Sequence, residues 1–474
     1  MKVKVINRDE EAMTRERAQD VVKVHRNLDP ALRPMHGARE YTRALNAAKL
    51  ERVFAKPFLA ALPHSDGVTC LARNPRVLNS LVSGAADGEL TLWDIPVRRA
   101  LRRLEGHRGA VRGACFAPDG ETLLSAGTDA TVRLWRVPYA PLEGAPPESV
   151  PVLRPALEFH GKQPFRAIDH RGAGGGGGGA GGGGLGGGPG GGSASSTTFA
   201  TAAAGIVEVW DHARASPVSS YSWGAESVSS VRFNPAEPDI FATTGSDRSV
   251  SLYDLRSRSP LRKLIMQTRA NAVAWNPIEA FNFTVASEDC NLYSFDMRRL
   301  SGATCVHQDF VSAVMDVDYS PTGREFVAGS YDRSVRIFAH TGGHSREVYH
   351  TRRMQRVFAV RFSGDGTYVF SGSDDMNVRV WKAEASAPLG VALPREKHAA
   401  AYRAALVARH KHLPEVKRIV RHRHLPKPIV KAQRLRRVMK DSERRKTERR
   451  VAHSKPGSQT LKPERRKKII AEVE

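Results

Sequence analysis

The chain has 474 residues, long enough for a large core, and carries 73 Lys and Arg against 49 Asp and Glu, a formal charge of +24 that favours polyanionic partners over ordinary acidic proteins. The excess is local: Lys382 to Glu474 holds 27 basic and 9 acidic residues, net +18, leaving +6 for the preceding 381. Four scattered cysteines, Cys70, Cys115, Cys290 and Cys305, form no CxxC pair, which argues against a disulfide framework and a cysteine-based zinc site and favours a reducing compartment.

Met1 to Asp20 is studded with charge and has no apolar signal core, and no run reaches the roughly 18 apolar residues of a membrane span. A soluble intracellular chain, with no membrane partner, is expected. Asn27 to Leu32 reads as a loop and Arg39 to Leu50 as a helix, and residues 47–58 lead into the repeats. This flank is too short for a core of its own, so it is expected to pack on the propeller predicted below or on a partner.

From there seven aromatic residues close short alternating segments: Trp93, Trp135, Trp210, Tyr253, Phe295, Phe338 and Trp381, at spacings of 42, 75, 43, 42, 43 and 43. A period of 42 to 43 residues is the length of four short strands with their turns, one propeller blade. Six anchors are preceded, six residues earlier, by Asp87, Asp129, Asp247, Asp289, Asp332 and Asp375, each in a tight turn ahead of a period-2 strand such as Asn377-Val378-Arg379-Val380-Trp381. His107 and His350 fall where a histidine can hydrogen-bond the turn Asp. Such a buried, satisfied network specifies a fold and performs no chemistry. These blades resemble the WD-repeat family.

The third blade departs from the pattern, with Ala204 in place of the Asp and two insertions in the long gap. One is Pro-rich, Pro138 to Pro155; the other, Gly172 to Gly192, has glycine at 17 of 21 positions and reads as a flexible surface loop in blade three. Its GxGxxG matches lack the strand-to-helix context of a nucleotide site.

Behind the last blade, Pro394 is placed to start a helix with Tyr402, Leu406 and Leu413 as an intermittent apolar side. A second helix is predicted from about Val430 to Arg450, with Ala432, Leu435, Val438 and Met439 on a face that needs a partner or the propeller. The basic runs of this tail supply candidate phosphate contacts: Arg418, Arg421, Arg423, Lys427, Arg436, Arg437, Arg444, Arg445, Lys446, Arg449, Arg450 and Lys455. A nuclear-import signal or a solvated tail is the other reading of the same runs. His422 and His424 have no cysteine or carboxylate company and suggest no metal.

Leu389-Gly390, Pro394-Arg395-Glu396-Lys397, Ile419 through Lys427 and His453 through Ser458 resemble the Sof-type carboxy-terminal domain, and Tyr41 to Phe58 resembles the same family's amino-terminal segment. The resemblance implies an all-β, seven-bladed WD-repeat propeller with a short N-terminal extension and a basic helical C-terminal tail, divided as 1–58, 59–383 and 384–474. It implies a non-catalytic nucleolar factor of the small-subunit processome, associated with box C/D small nucleolar RNP, whose partners are pre-rRNA, that RNP and other processome proteins. Relatives also serve as substrate receptors of cullin-4 ubiquitin ligases through a Trp-Asp-x-Arg box. Tyr253-Asp254-Leu255-Arg256 and Phe295-Asp296-Met297-Arg298 fit a relaxed form of it, making Asp254, Arg256, Asp296 and Arg298 candidate adaptor-docking residues, with ordinary loop residues as the alternative. No nucleophile elbow, phosphate-binding loop or paired-carboxylate motif is present, so no enzyme activity, cofactor or small-molecule substrate is expected.

Overall fold

The computed structural model describes residues 35–138, 151–172, 197–224, 226–257, 259–455, 457–459 and 461–473. The glycine run beyond Gly172 and most of the Pro-rich stretch lie outside them. Seven antiparallel sheets form the blades of a β-propeller, their inner strands running from Val68–Arg73 in blade one to Val357–Phe362 in blade seven. Phe58–Pro63 is the outermost strand of blade seven, beside Asn377–Lys382. The Pro-rich insertion belongs to blade two, not blade three: it joins that blade's third strand, Thr131–Arg136, to its fourth, Leu157–His160. Within it, Val152–Leu153 adds in parallel to the outer strand of blade one, Arg99–Leu104. The glycine run falls in blade three, between Ala167–His170 and Thr198–Ala202.

The turn aspartates have a backbone role. The residue after each one, Gly88, Ala130, Arg248, Cys290, Arg333 and Met376, has a positive φ, a conformation that side chains other than glycine's disfavour. In five of the six turns an Asp Oδ1 accepts from the backbone N–H two residues on, at 3.0 Å in Asp87 and Asp332 and up to 3.2 Å in Asp129 and Asp247. That bond holds the turn. Blade three lacks the carboxylate, and there Gly205, φ +78°, supplies the left-handed residue itself. Ala204 is therefore tolerated without loss of the blade.

Blade two carries the full polar chain: Trp135 Nε1 donates to Ser125 Oγ at 2.9 Å, His107 Nε2 meets the same hydroxyl at 2.7 Å, and His107 Nδ1 reaches Asp129 Oδ2 at 3.0 Å. Blade one keeps a histidine, His64, whose Nε2 lies 3.2 Å from Thr91 Oγ1, whereas blades four to seven replace it. Lys263 pairs with Asp247 at 2.8 Å, Tyr293 donates to Asp289, and Arg336 approaches Asp332 at 3.9 Å. Asp375, for which His350 was the expected partner, is held by two nitrogens of Arg379. All four cysteines are free thiols, and burial pushes Cys70 up to about 12.

The chain beyond Ala383 does not stay together: Glu384–His424 folds with the segment before Phe58, and Leu425–Glu474 belongs with the propeller. This division differs from the expected 1–58, 59–383 and 384–474. In the smaller unit, α1 (His36–Val53) packs against α2 (Pro394–His410) and α3 (Pro414–Arg421). Ala44, Ala47 and Ala48 are buried, their small side chains permitting close helix approach, as are Leu406 and Val416. Glu40, 4% exposed, receives Arg409 Nη1 at 3.0 Å, and the Tyr41 hydroxyl bonds Glu415. The N-terminal flank thus finds its core in the C-terminal helices.

Two buried histidines give the fold a pH signature. His170 Nδ1 lies 2.7 Å from the Arg171 carbonyl and His307 Nδ1 2.6 Å from that of Gly342, so each donates there and is left with Nε2 as an acceptor. Burial, the largest cause, lowers both pKa values to about 4. Because the unfolded imidazoles protonate nearer 6.5, the unfolded state binds more protons between these values, and stability falls as pH drops through that window. Each contributes on the order of 3 kcal/mol. Urea unfolding of the wild type and of His170→Gln/His307→Gln, compared at pH 7 and 4.5, should show a smaller acid loss in the variant; equal losses would refute the assignment.

Candidate functional site

The tail helix α4 (Lys427–Ala452) docks on the propeller by its polar face. Gln433, Arg436 and Lys440 share that face at i, i+3 and i+7. Gln433 Nε2 donates to the Asp309 carbonyl at 2.8 Å, Arg436 to the carbonyls of Phe310 and Asp289, the latter at 2.8 Å, and Lys440 to Gln308 Oε1 at 2.9 Å. These acceptors lie in blades five and six at the end of the ring that carries the turn aspartates. One planar guanidinium, with five donors, satisfies several loop carbonyls at once. Of the predicted apolar face, Leu435, Val438 and Met439 are turned away, 63%, 61% and 57% exposed, while Ala432 is half-buried; Ile429, a turn before Gln433, is the helix's buried apolar side chain.

The structure thus separates the candidate phosphate contacts. Arg436 is engaged with the propeller. Arg437 and Arg444 are exposed but face Asp441, and Arg444 also Glu448 at 3.6 Å. Lys427, Arg445, Lys446, Arg449, Arg450 and Lys455 are exposed to solvent. Arg418 and Arg421 are exposed on α3 in the other unit, and Arg423 folds back onto the Val420 and His422 carbonyls at 2.6 and 3.0 Å. No cluster of metal ligands occurs among the described residues.

The sequence reading missed α3 and a closing strand. After α5 (Glu464–Lys467), Ile469–Val473 pairs antiparallel with Pro260–Met266, adding a fifth strand to blade four, and Gln267 donates twice to the Lys467 and Lys468 carbonyls at 2.8 and 2.9 Å. The short apolar run Ile469-Ile470-Ala471 after four basic residues was its only signal.

The two box arginines lie at the opposite end of the ring, where the third strands Ser249–Asp254 and Asn291–Asp296 finish. Asp254 Oδ1 accepts from Arg256 N at 2.9 Å and Asp296 Oδ1 from Arg298 N at 3.0 Å, so each Asp shapes the turn that presents its Arg. The Arg256 guanidinium reaches Asp239. Arg298 forks onto both Asp296 oxygens and lies 4.2 Å over the Phe281 ring, and this hydrogen bonding holds the Asp296 carboxyl below its ordinary range. Side-chain exposures of 78% and 62% leave both arginines available to a partner.

Propeller and appendage together define a WD-repeat protein with a Sof1-like domain. The WD domain, G-beta repeat, matches at 57–94, 98–136, 303–338 and 343–382, and the Sof1-like domain at 383–469. Over its full length the chain is 47% identical to DDB1- and CUL4-associated factor 13 of Danio rerio and 46% to that of Homo sapiens, each covered completely. It is 42% identical to Protein SOF1 of Saccharomyces cerevisiae, covering 95% of it. The chain belongs to this family of Sof1-like WD-repeat proteins.

Removing the carbonyl anchor should release the tail helix without unfolding the blades. In Arg436→Ala, amide exchange across 427–452 is expected to accelerate at least about tenfold, a loss of 1.4 kcal/mol or more, while the strands of blades one to three keep their protection. Unchanged exchange in the helix would show that its docking rests elsewhere.

Proposed function

We propose that the protein is a non-catalytic ribosome-biogenesis factor of the small-subunit processome, associated with box C/D small nucleolar RNP in the nucleolus and needed for small-subunit rRNA maturation. The observation that carries this reading is the full-length likeness to Protein SOF1 through the Sof1-like domain. The geometry supports it: a rigid ring presents two broad ends, and a helix anchored to one of them holds Arg445, Lys446 and Arg449 outward, on the face opposite Gln433, Arg436 and Lys440. Those side chains suit phosphate contact, with pre-rRNA and the small nucleolar RNA as partners. Reversing Arg445, Lys446 and Arg449 to Glu is expected to abolish crosslinks to both RNAs in cells, with the propeller still folded. Crosslinks that persist at wild-type frequency would overturn the RNA role of this face.

A second reading has its own observation. The relatives from Danio rerio and Homo sapiens are named for association with DDB1 and CUL4, and Arg256 and Arg298 stand exposed in consecutive blades, each on an Asp-capped turn. The protein then also serves as a substrate receptor of a cullin-4 RING ligase. Arg256→Glu with Arg298→Glu should reduce co-purification of the adaptor at least tenfold and spare incorporation into pre-ribosomal particles. Retained adaptor with the double variant would remove the box from the account.

A further inference from the structure

The inner strands of the propeller bring opposite charges into its central channel. Arg232 Nη1 lies 3.4 Å from Asp169 Oδ1, and Arg361 Nη1 lies 3.1 Å from Asp316 Oδ2. Backbone N–H groups of Phe233, Val360 and Phe362 donate to Asp169, Asp316 and Asp318 at 2.7, 3.0 and 2.8 Å. Inside, charge is compensated, as buried charge must be.

At the end of the ring that carries the turn aspartates this balance is lost. Arg112, second residue of blade two's inner strand Val111–Phe116, and Arg166, just before that of blade three, are exposed, and no carboxylate among the described residues forms an ion pair with either. Both line a cavity of about 120 Å³ together with Ser229, Asn271 and Phe358, and with the paired Arg361 and Asp316 of the channel wall, so that Arg112 and Arg166 are the excess positive charge. Phe358, partly exposed, meets Tyr331 edge-on with ring centroids 6.0 Å apart, and Arg356 lies 5.3 Å over the Tyr331 ring. Unpaired guanidinium groups beside aromatic faces are the elements that hold phosphate and base of an unstacked nucleotide. A cavity this small cannot admit a duplex. The tail helix is anchored at the same end of the ring, through the Asp289 carbonyl in the turn of blade five.

We infer that the channel mouth takes an unpaired nucleotide of single-stranded RNA, its phosphates paired with Arg112 and Arg166 and its base against Phe358. This rests on the RNA-contact reading above and adds to it a site on the propeller itself. The phosphate contacts set affinity and salt dependence, and the aromatic face sets the preference for unpaired RNA.

The test uses the full chain and a fluorescent RNA of about 12 nucleotides, single-stranded or in a duplex, with anisotropy read across salt. Arg112→Glu/Arg166→Glu should weaken single-strand binding at least tenfold and lower the slope of log affinity against log salt by about 1.4, two contacts at roughly 0.7 each. Arg112→Gln/Arg166→Gln should do the same more mildly, which guards against a folding defect, and the urea midpoint of both should match the wild type. Phe358→Leu should weaken single-strand binding at least about fivefold and leave the salt slope and duplex binding unchanged. If all these variants bind single strands like the wild type while Arg445→Glu/Lys446→Glu/Arg449→Glu does not, the channel site is wrong and the RNA reading stands. If the wild type binds neither RNA at low salt, both fall. Displacement of the single strand by polyglutamate at equal charge concentration would assign the mouth to an acidic protein instead.

Discussion

Phe58–Pro63 precedes every blade in the sequence and yet completes the last one, paired antiparallel with Asn377–Lys382 from Phe58 opposite Trp381 to Pro63 opposite Asn377. Without this ladder blade seven is a three-stranded sheet with an open edge, the template for intermolecular pairing that a closed ring avoids. Its contacts span nearly the whole propeller in sequence, so closing it carries a loop entropy that local pairing cannot offset. The rings of Phe58 and Trp381, 5.5 Å apart and edge to face, add an aromatic contact at the seam. Closure has a second consequence. The same pairing brings residues 57 and 383 together, so the two flanks leave the ring side by side. A helix before the ring and helices after it, each too short for a core, can then form one.

This accounts for what sequence reading found and what it missed. The blades were legible because one constraint recurs: a left-handed residue after a turn Asp, then an alternating strand closed by an aromatic. Each repeat states it again. Blade three shows the constraint to be conformational, since Gly205 does the work of the absent carboxylate. The partner of the turn Asp was less legible in blades four to seven, because a lysine, a tyrosine or an arginine from different strands replaces the histidine, and no fixed spacing identifies it. The flanks were least legible. The pairing of α1 with α2 and α3 joins segments from opposite ends of the sequence and leaves no trace in local periodicity.

The docking of α4 shows why amphipathicity misdirects on such a surface. The end of a propeller is made of turns, which present backbone carbonyls, and not a continuous apolar groove. A helix gains more there by aligning donors with those acceptors than by covering them with Leu435, Val438 and Met439. Arg436 engages the Phe310 and Asp289 carbonyls and Asn291 Oδ1 together. Counted as one more member of a phosphate-binding run, it is in fact the residue that orients the run.

That orientation decides how the two ends of the ring differ. At one end the donors of α4 are used inward, so what faces out is an apolar patch followed by Arg445, Lys446 and Arg449. The unpaired Arg112 and Arg166 lie at this same end. At the other end the arginines are few but held by turns: Arg256 and Arg298 extend from backbone bonds to Asp254 and Asp296, and Arg298 is further fixed over Phe281. Diffuse positive charge on a helix suits a polyanion, whose phosphates recur without a unique register. Single guanidinium groups preorganised on tight turns suit a folded protein, which offers one matching site. The strands of blades four and five, running from turn Asp to box, keep the two kinds of surface at opposite ends of the ring.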